Sequence, residues 1–283
     1  MPRSCGFTFT LPEKYTCSKI IQAAVDHKGT FLVFLLLIFS VNVKAQTTSY
    51  TQLGNELQFS RAINDRWAAE TWLGGTFSST PAESHVLKTN IQRYIFIWGH
   101  YFLSPRWKLS SSFAYYHNKD VPDIGQYFSP EYRLTLQGIY YFHKTGYTLM
   151  TRMRGEFRYM MNADGVFEDK YRYRQMIKFV KPINSQVLRQ GVVYFVTTEE
   201  LLFKPEAKTK GVDFFDRNRF EIGGGYLITD NLQLELTYVN EFMPRDSGNE
   251  VYNVIAFTVT FNNLLPNLKE KLTSKSSEGE KPD

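Results

Sequence analysis

The sequence predicts an all-β fold, a closed antiparallel β-barrel of about 10–12 strands, and three observations support this prediction. From Gln46 onward, segments of ten to fifteen residues alternate apolar and polar side chains and are separated by turn-forming residues. Aromatic residues make up 16% of the chain, and Phe and Tyr both favour strands. The sequence after Gln46 contains no convincing amphipathic helix of any length, so these segments are predicted to be strands.

Eleven segments carry this alternation along the chain. In the clearest of them, Leu232, Leu234 and Leu236 share one face and Gln233 lies on the other. The predicted strands are 50–60, 67–77, 90–102, 107–116, 131–142, 147–159, 171–181, 190–203, 214–228, 232–242 and 251–262.

The connections between these strands alternate in length. A transmembrane β-barrel typically has short periplasmic turns and longer extracellular loops, and its sheet must close because lipid offers no partner to an unpaired backbone group. The short connections are Ile63–Arg66, Leu103–Arg106, His143–Gly146, Lys181–Gln186 and Thr229–Asn231. The longer, polar connections are 78–89, 117–130, 160–170, 204–213 and 243–250.

The predicted number of strands conflicts with this topology. The ten strands from Trp67 to Asn262 begin and end on the periplasmic side, so segment 50–60 would enter from the opposite side. Bacterial single-chain barrels have even numbers of strands. We therefore expect either that 50–60 lies outside the wall or that a further strand brings the total to twelve.

The N-terminal region is typical of an export signal. Thr30–Val41 is a short apolar run after Lys28, and a small-residue cleavage site ends near Ala45. The run is shorter than the ~20 apolar residues that a transmembrane helix needs. Residues 1–45 are therefore predicted to be an N-terminal extension and Sec signal peptide. For the first part, residues 1–27, a start codon assigned too far upstream is the simpler explanation, and a functional extension is the alternative.

The predicted signal leaves residues 46–262 as an outer-membrane β-barrel and residues 263–283 as a short disordered periplasmic tail, rich in Lys, Glu and Ser. Cys5 and Cys17 both precede the cleavage site, so the exported chain would hold no disulfide and no thiolate site. The net charge of +5 is modest and does not indicate nucleic-acid binding.

Charged residues at every second position form the densest candidate site, named the charged lattice below. An arginine that faces lipid would cost ~2–4 kcal/mol at the bilayer midplane, so the lattice is expected to face the lumen. Clustered guanidinium groups can bind anions in a channel, but Arg–Glu ladders can also fill a narrow barrel and hold its shape, and we favour the second role. The predicted members are Arg152, Arg154, Glu156, Arg158, Arg172, Arg174, Lys178, Arg217, Arg219 and Glu221.

Aromatic residues near the strand ends are predicted to form a belt at the membrane–water interfaces, although an aromatic at a strand end can also be ordinary packing. The predicted members are Trp67, Trp98, Trp107, Tyr140, Tyr141 and Tyr226.

The sequence offers no convincing catalytic residue. A nucleophilic serine needs its base within hydrogen-bond reach, and no His-x-Ser pair occurs on any predicted strand. Ser84 and His85 are adjacent, but they lie on a long loop. The other histidines are His27 in the extension, His117 at a long loop, and His100 and His143 near short turns.

No metal or cofactor is predicted either. The acidic loop residues lack the ligand spacing of a Ca²⁺ loop. The triplet Gly223–Gly225 precedes no helix, so it is not a phosphate loop, and in a strand it eases curvature or allows close packing against a large neighbour. The acidic loop residues are Asp120, Asp123, Asp164, Glu168 and Asp169.

Three stretches of the chain resemble a known family. They are "RMRGEFRY" with the following "YRYRQMIKF", then "TTEELLF", then "FDRNRFEIGGGYLITDNLQLELTYVNEF". The sharpest features are the Arg-x-Arg pairs, Asn218-Arg219, Gly224-Gly225-Tyr226 and the Leu-x-Leu-x-x-Tyr that ends at Tyr238. This pattern is similar to an uncharacterised bacterial outer-membrane barrel family, domain of unknown function 2490, over roughly 46–261. The resemblance implies a fold and a location. The family has no assigned activity, so the resemblance implies no catalytic residues.

These observations together predict an integral outer-membrane β-barrel that is not an enzyme, with an Arg/Glu-lined lumen that is structural or a narrow, porin-like pore. The expected partners are outer-membrane lipid and lipopolysaccharide, with the barrel-assembly machinery for insertion, and no nucleic acid. One alternative is an outer-membrane enzyme that acts on lipid or peptide through loop residues. Another is a secreted barrel that binds a lipid-like ligand.

Overall fold

A computed structural model describes residues 47–79, 84–122, 124, 126–205, 214–245 and 248–263 of the chain. The predicted signal peptide with its cleavage site near Ala45, and the predicted tail after Asn263, lie outside these residues. The described strands are β1 Thr47–Ala62, β2 Trp67–Ser78, β3 Asn90–Phe102, β4 Trp107–Val121, β5 Gln126–Phe128, β6 Glu131–His143, β7 Thr148–Met161, β8 Phe167–Pro182, β9 Val193–Lys204, β10 Phe214–Thr229, β11 Leu232–Met243 and β12 Asn249–Asn262, with a 3-10 turn at Val86–Lys88.

Eleven of the strands in the described chain form one closed wall. The pairing runs from β1 through β2, β3, β4 and β6, and then in chain order to β12, which pairs with β1 again. Among the described residues, the short β5 lies outside this ring and pairs with the end of β4. The prediction of an all-β closed barrel of about 10–12 strands is confirmed.

No helix in the described part of the chain is long and apolar enough to cross a membrane.

The expectation of an even number of wall strands is wrong, because the barrel closes on a parallel pair. Residues 47–60 of β1 pair in parallel with residues 249–262 of β12, so segment 50–60 belongs to the wall. An odd number of strands that alternate in direction leaves one parallel pair where the ring closes. Tyr50 stacks on Tyr252 at 4.8 Å and Phe59 on Phe261 at 5.2 Å, so aromatic pairs pack along this seam.

Several of the connections differ from the predicted lengths. The connection after β7 spans only residues 162–166, because the polar residues Glu168 and Asp169 pair with β7 as part of β8. Backbone pairing does not depend on side-chain polarity, so the alternation pattern missed the start of this strand. The connection between β8 and β9 spans residues 183–192, which makes it longer than the predicted short turn.

The two faces of the wall differ in chemistry. Along β3, Ile95 and Ile97 point outward and are exposed, whereas Phe96, Trp98 and His100 point inward and are buried. An aromatic cluster fills the lumen along β2, β3 and β4, and the charged lattice occupies the inward faces of the strands opposite. The core of this protein therefore lies inside the barrel. The aromatic cluster consists of Trp72, Tyr94, Phe96, Trp98, Ala114 and Tyr116.

Candidate functional site in the barrel lumen

Glu156 on β7 is the central carboxylate of the charged lattice. It accepts hydrogen bonds from Arg172 Nε at 2.7 Å and from Arg174 Nη1 at 2.8 Å, and its side chain is 0% exposed. The ladder between β7 and β8 places Glu156 directly opposite Arg172 and Arg154 opposite Arg174. The charged inward faces of the neighbouring strands β7 and β8 therefore lie side by side in the lumen.

Glu200 on β9 extends the lattice to the next strand. Arg174 donates to both of its carboxylate oxygens, at 3.0 and 2.5 Å, and Arg152 donates to it as well. Arg219 lies 3.7 Å from Glu200 and 2.6 Å from Glu241 on β11. The arginines thus connect carboxylates on strands that are not sequence neighbours.

A second cluster of the lattice surrounds Glu131 at the start of β6. Arg133 and Arg158 both bind its carboxylate, at 2.7 and 2.8 Å. Arg133 also lies 3.7 Å from Glu156, so the two clusters are continuous. Glu131 and Arg133 are both buried.

A bulge in β10 directs two consecutive residues into the lumen. The register against β9 shifts between Phe215 and Arg217, and both Asp216 and Arg217 are buried. Arg217 pairs with Asp216 at 3.0 Å and with Glu241 at 3.1 Å. Bulges commonly re-aim side chains in this way, which period two alone cannot predict.

The structure places all ten predicted lattice residues on the lumen side but does not join them all. Lys178 and Glu221 are both directly paired with Thr198, yet neither forms an ion pair within the described residues. The ion pairs also include residues that the sequence analysis did not single out. These residues are Glu131, Arg133, Glu200, Asp216, Glu241, Arg245 and Glu250.

Arginine also joins the lattice to the aromatic cluster. The guanidinium of Arg154 lies 5.1 Å from the ring of Trp98, and that of Arg133 lies 4.2 Å from the ring of Tyr116. Arg154 additionally donates two hydrogen bonds to Gln137 Oε1, at 2.9 and 2.8 Å. These contacts link the charged and aromatic walls of the lumen through cation–π interactions.

The predicted aromatic belt is divided between the two faces of the wall. Trp67, Trp107 and Tyr226 are exposed on the outer face, and Tyr140 packs against Trp107 there, with ring centroids 4.9 Å apart. Trp98 does not belong to a belt, because it shares the inward face of β3 with His100 and is 1% exposed. Tyr141 follows Tyr140 and lies on the inward face, where Lys144 Nζ is 3.9 Å from its ring centroid.

The glycine triplet packs closely against a large inward-facing side chain. A Cβ atom on Gly225 would lie 2.1 Å from the ring of Tyr194, its direct partner on β9. Tyr194 is held in place by hydrogen bonds with Glu235 at 2.7 Å and Gln233 at 2.6 Å. Close packing is thus the role that the structure gives to this glycine.

A contact that no search for His-x-Ser could find lies on three adjacent strands. His100 on β3 is within hydrogen-bond distance of Ser110 on β4 and Glu70 on β2. Each of the three residues lies on a different strand, so only the pairing register of these strands brings them together.

Among the described residues, no group of three or more His, Cys, Asp or Glu side chains is arranged to hold a metal ion. Of the acidic residues predicted to lie in loops, Asp120 lies in β4, Glu168 and Asp169 lie in β8, and Asp123 lies outside the described residues.

Residues 43–252 match the family described as "Protein of unknown function (DUF2490)". The chain belongs to this family. The prediction made from the residue patterns is confirmed over most of the barrel. No curated protein matches the sequence.

Two solved structures have a similar fold. One is a bacterial polysaccharide outer membrane secretin, with 13% identity and a TM-score of 0.45, where the match covers 70% of this chain and 66%, just under two thirds, of that chain. The other is LpxR from Salmonella typhimurium, with 9% identity and a TM-score of 0.44, covering 72% of this chain and 86% of that chain.

Proposed function

We propose that this protein is an integral outer-membrane β-barrel whose charged lattice is an internal scaffold that closes the lumen to solute flow. The outward face supports the membrane location. Large apolar side chains are exposed there on strand after strand, with Ile97, Phe113, Leu136 and Ile177 each more than half exposed. Lipid would cover this surface, since an exposed apolar area of this extent is rare on soluble monomers.

The burial of Glu156 is the main observation that supports the scaffold role. A carboxylate that lines an open aqueous channel is wetted, whereas the Glu156 side chain is 0% exposed and has arginine on two strands bound to it. Arg174 and Glu200 beside it are also buried. The lattice therefore fills its level of the lumen, and few guanidinium donors remain to receive a passing anion.

The proposed outer-membrane location also implies which partners the protein contacts. Outer-membrane lipid and lipopolysaccharide would contact the outward face, and the barrel-assembly machinery would insert the chain after export through a Sec signal. The lattice itself has no catalytic role in this proposal, because its carboxylates are held by arginine and are not poised to transfer protons.

Conductance in planar bilayers tests the proposal. The purified, folded barrel is expected to show no channel events at high salt. A variant with Arg172→Ala and Arg174→Ala removes two side chains from the closed level and is expected to conduct, which makes it the matched control for insertion. Steady conductance by the unchanged protein would overturn the closed lumen.

Fractionation tests the location separately. The protein is expected in the outer-membrane fraction, with a gel band that migrates faster before heating than after it. Recovery of the mature chain in the soluble periplasm without detergent would instead favour the secreted lipid-binding barrel.

A further inference from the structure

Three lumen-facing side chains form a connected hydrogen-bonded row apart from the charged lattice. Ser110 Oγ lies 2.8 Å from His100 Nδ1, and Glu70 Oε2 lies 3.0 Å from His100 Nε2. The residues come from β4, β3 and β2, which are neighbours in the wall. His100 is the direct cross-strand partner of Ser110, and Glu70 lies diagonally across from it on the other side.

The chemistry of the three groups fixes the position of the imidazole proton. A carboxylate only accepts hydrogen bonds, so the 3.0 Å contact with Glu70 requires a proton on His100 Nε2. In the neutral ring, Nδ1 is then a free base and accepts the hydroxyl proton of Ser110. This is the order of hydroxyl, base and orienting carboxylate that activates a serine nucleophile.

The packing around His100 holds this arrangement in place. The ring of Trp98 stacks on the imidazole with centroids 6.0 Å apart and planes 11° from parallel. Gln137 is the direct cross-strand partner of Ser110 on β6, and Arg154 binds its Oε1 through two hydrogen bonds. The amide nitrogen of Gln137, the residue directly across from Ser110, is the donor that this arrangement offers to an oxyanion.

The row is less deeply buried than Glu156, the central carboxylate of the charged lattice. The side chains of His100 and Glu70 are 7% and 16% exposed, compared with 0% for Glu156. Ser110 is the fourth residue of β4, and Glu70 is the fourth residue of β2, counted from the end of the barrel with the short connections. The row thus lies ~10 Å along the strands from that end, at 3.4 Å per residue.

We propose that Ser110 is the nucleophile of an esterase site at this end of the lumen, with His100 as its general base and Glu70 as a positioning residue. The substrate class is a small carboxylic ester, because the aromatic cluster around Trp72 and Trp98 limits the space beyond the serine. This activity goes beyond the scaffold role proposed for the charged lattice.

The reaction proceeds in two steps. Ser110 Oγ bonds to the ester carbonyl carbon while its proton passes to His100 Nδ1. The bond from that carbon to the alkoxy oxygen breaks, and the His100 proton leaves with the alcohol. A water molecule then gives a proton to His100 Nδ1 while its oxygen bonds to the acyl carbon. The bond from that carbon to Ser110 Oγ breaks, the carboxylic acid leaves, and His100 returns the proton to Oγ.

An alkyl fluorophosphonate probe tests the nucleophile on the folded, full-length protein. It is expected to modify Ser110, identified by mass spectrometry of the labelled peptide. The labelling rate should fall at least about 100-fold in His100→Gln, the range of a lost general base. The labelling rate should also fall in Glu70→Gln, which keeps the size of the side chain but removes the carboxylate that orients His100. Ser112→Ala is the matched control, because Ser112 lies on the same strand and the same face without a histidine partner, and its rate should not change.

The same protein is tested with p-nitrophenyl acetate, and hydrolysis is expected to exceed that of Ser110→Ala. Each variant is compared with the unchanged protein for heat-modifiable migration, so that a loss of folding is seen independently. The proposal is overturned if the folded protein leaves Ser110 unlabelled, if His100→Gln labels at the unchanged rate, or if ester hydrolysis does not depend on Ser110. A conducting lumen would overturn the scaffold role without affecting these outcomes.

Discussion

Replacement of Glu156 by glutamine measures what the charged lattice contributes to stability. The change keeps the size of the side chain and removes the negative charge that binds Arg172 and Arg174. Both guanidinium groups are buried, with side chains 9% and 8% exposed, so water cannot replace the lost carboxylate freely. The amide nitrogen of glutamine would also point a donor at groups that only donate.

The expected loss follows from this geometry. Removal of one partner from a buried ion pair destabilises a protein by ~3–5 kcal/mol, because the remaining charge stays buried without compensation. Glutamine retains one carbonyl oxygen that can accept from an arginine, which favours the lower end, about 3 kcal/mol. With a typical urea dependence of ~1–3 kcal/mol per molar, the unfolding midpoint should fall by at least about 1 M.

The assay is urea unfolding of the detergent-solubilised barrel, followed by loss of the compact band on unheated gels and by tryptophan fluorescence. Glu221→Gln is the matched control, since Glu221 faces the same lumen and forms no ion pair in the described chain. Its free energy of unfolding should change by less than about 0.5 kcal/mol. If both variants shift equally, the ion pairs of Glu156 do not stabilise the barrel and the scaffold argument fails.

Two further predictions concern the closure of the barrel and its packing. In a background without the native cysteines, Gly54→Cys with Ala256→Cys should form a disulfide, since a Cβ on Gly54 would lie 3.6 Å from Cβ of Ala256. Gly54→Cys with Thr258→Cys, displaced by two residues, should not, and the reverse preference on non-reducing gels would contradict the parallel register. Gly225→Ala should destabilise by ~1–3 kcal/mol through overpacking, and Gly155→Ala, where nothing lies within 4 Å, should not. Equal urea midpoints for the two alanine variants would refute this packing.

The fold class was predictable because the two faces of each wall strand contact different environments, so the side chains alternate in polarity along the sequence. A strand with lipid or solvent on one face and a filled lumen on the other must alternate, and Arg152, Arg154, Glu156 and Arg158 kept that alternation in charge. The same parity argument, applied strictly, would also have placed Trp98 inside with Phe96 and His100. The prediction gave more weight to the aromatic character of Trp98 than to its place in the alternation, so the assignment of Trp98 to the belt was wrong.

The sequence could also have indicated the Ser110 site through hairpin register. The short turn at Leu103–Arg106 fixes which residues face each other on β3 and β4, and this register pairs His100 with Ser110. A search limited to neighbours along one strand could not find the pair. The ionic partners Glu131 and Glu200 were missed for the same reason, since Arg158 and Arg174, which bind them, lie on other strands.

The sequence by itself indicated most of the wall strands, which residues of each strand share a face, and the presence of a dense charged surface, because these depend on period-two patterning within single segments. The tertiary structure decided how the ring closes and which groups meet. β1 supplies an eleventh strand and closes against β12 in parallel, which a local pattern cannot encode because it carries no information on the partner of an edge. Opposite charges from separate strands then neutralise each other at short range inside the barrel, and that pairing converts a row of arginines from an apparent anion site into a filled core.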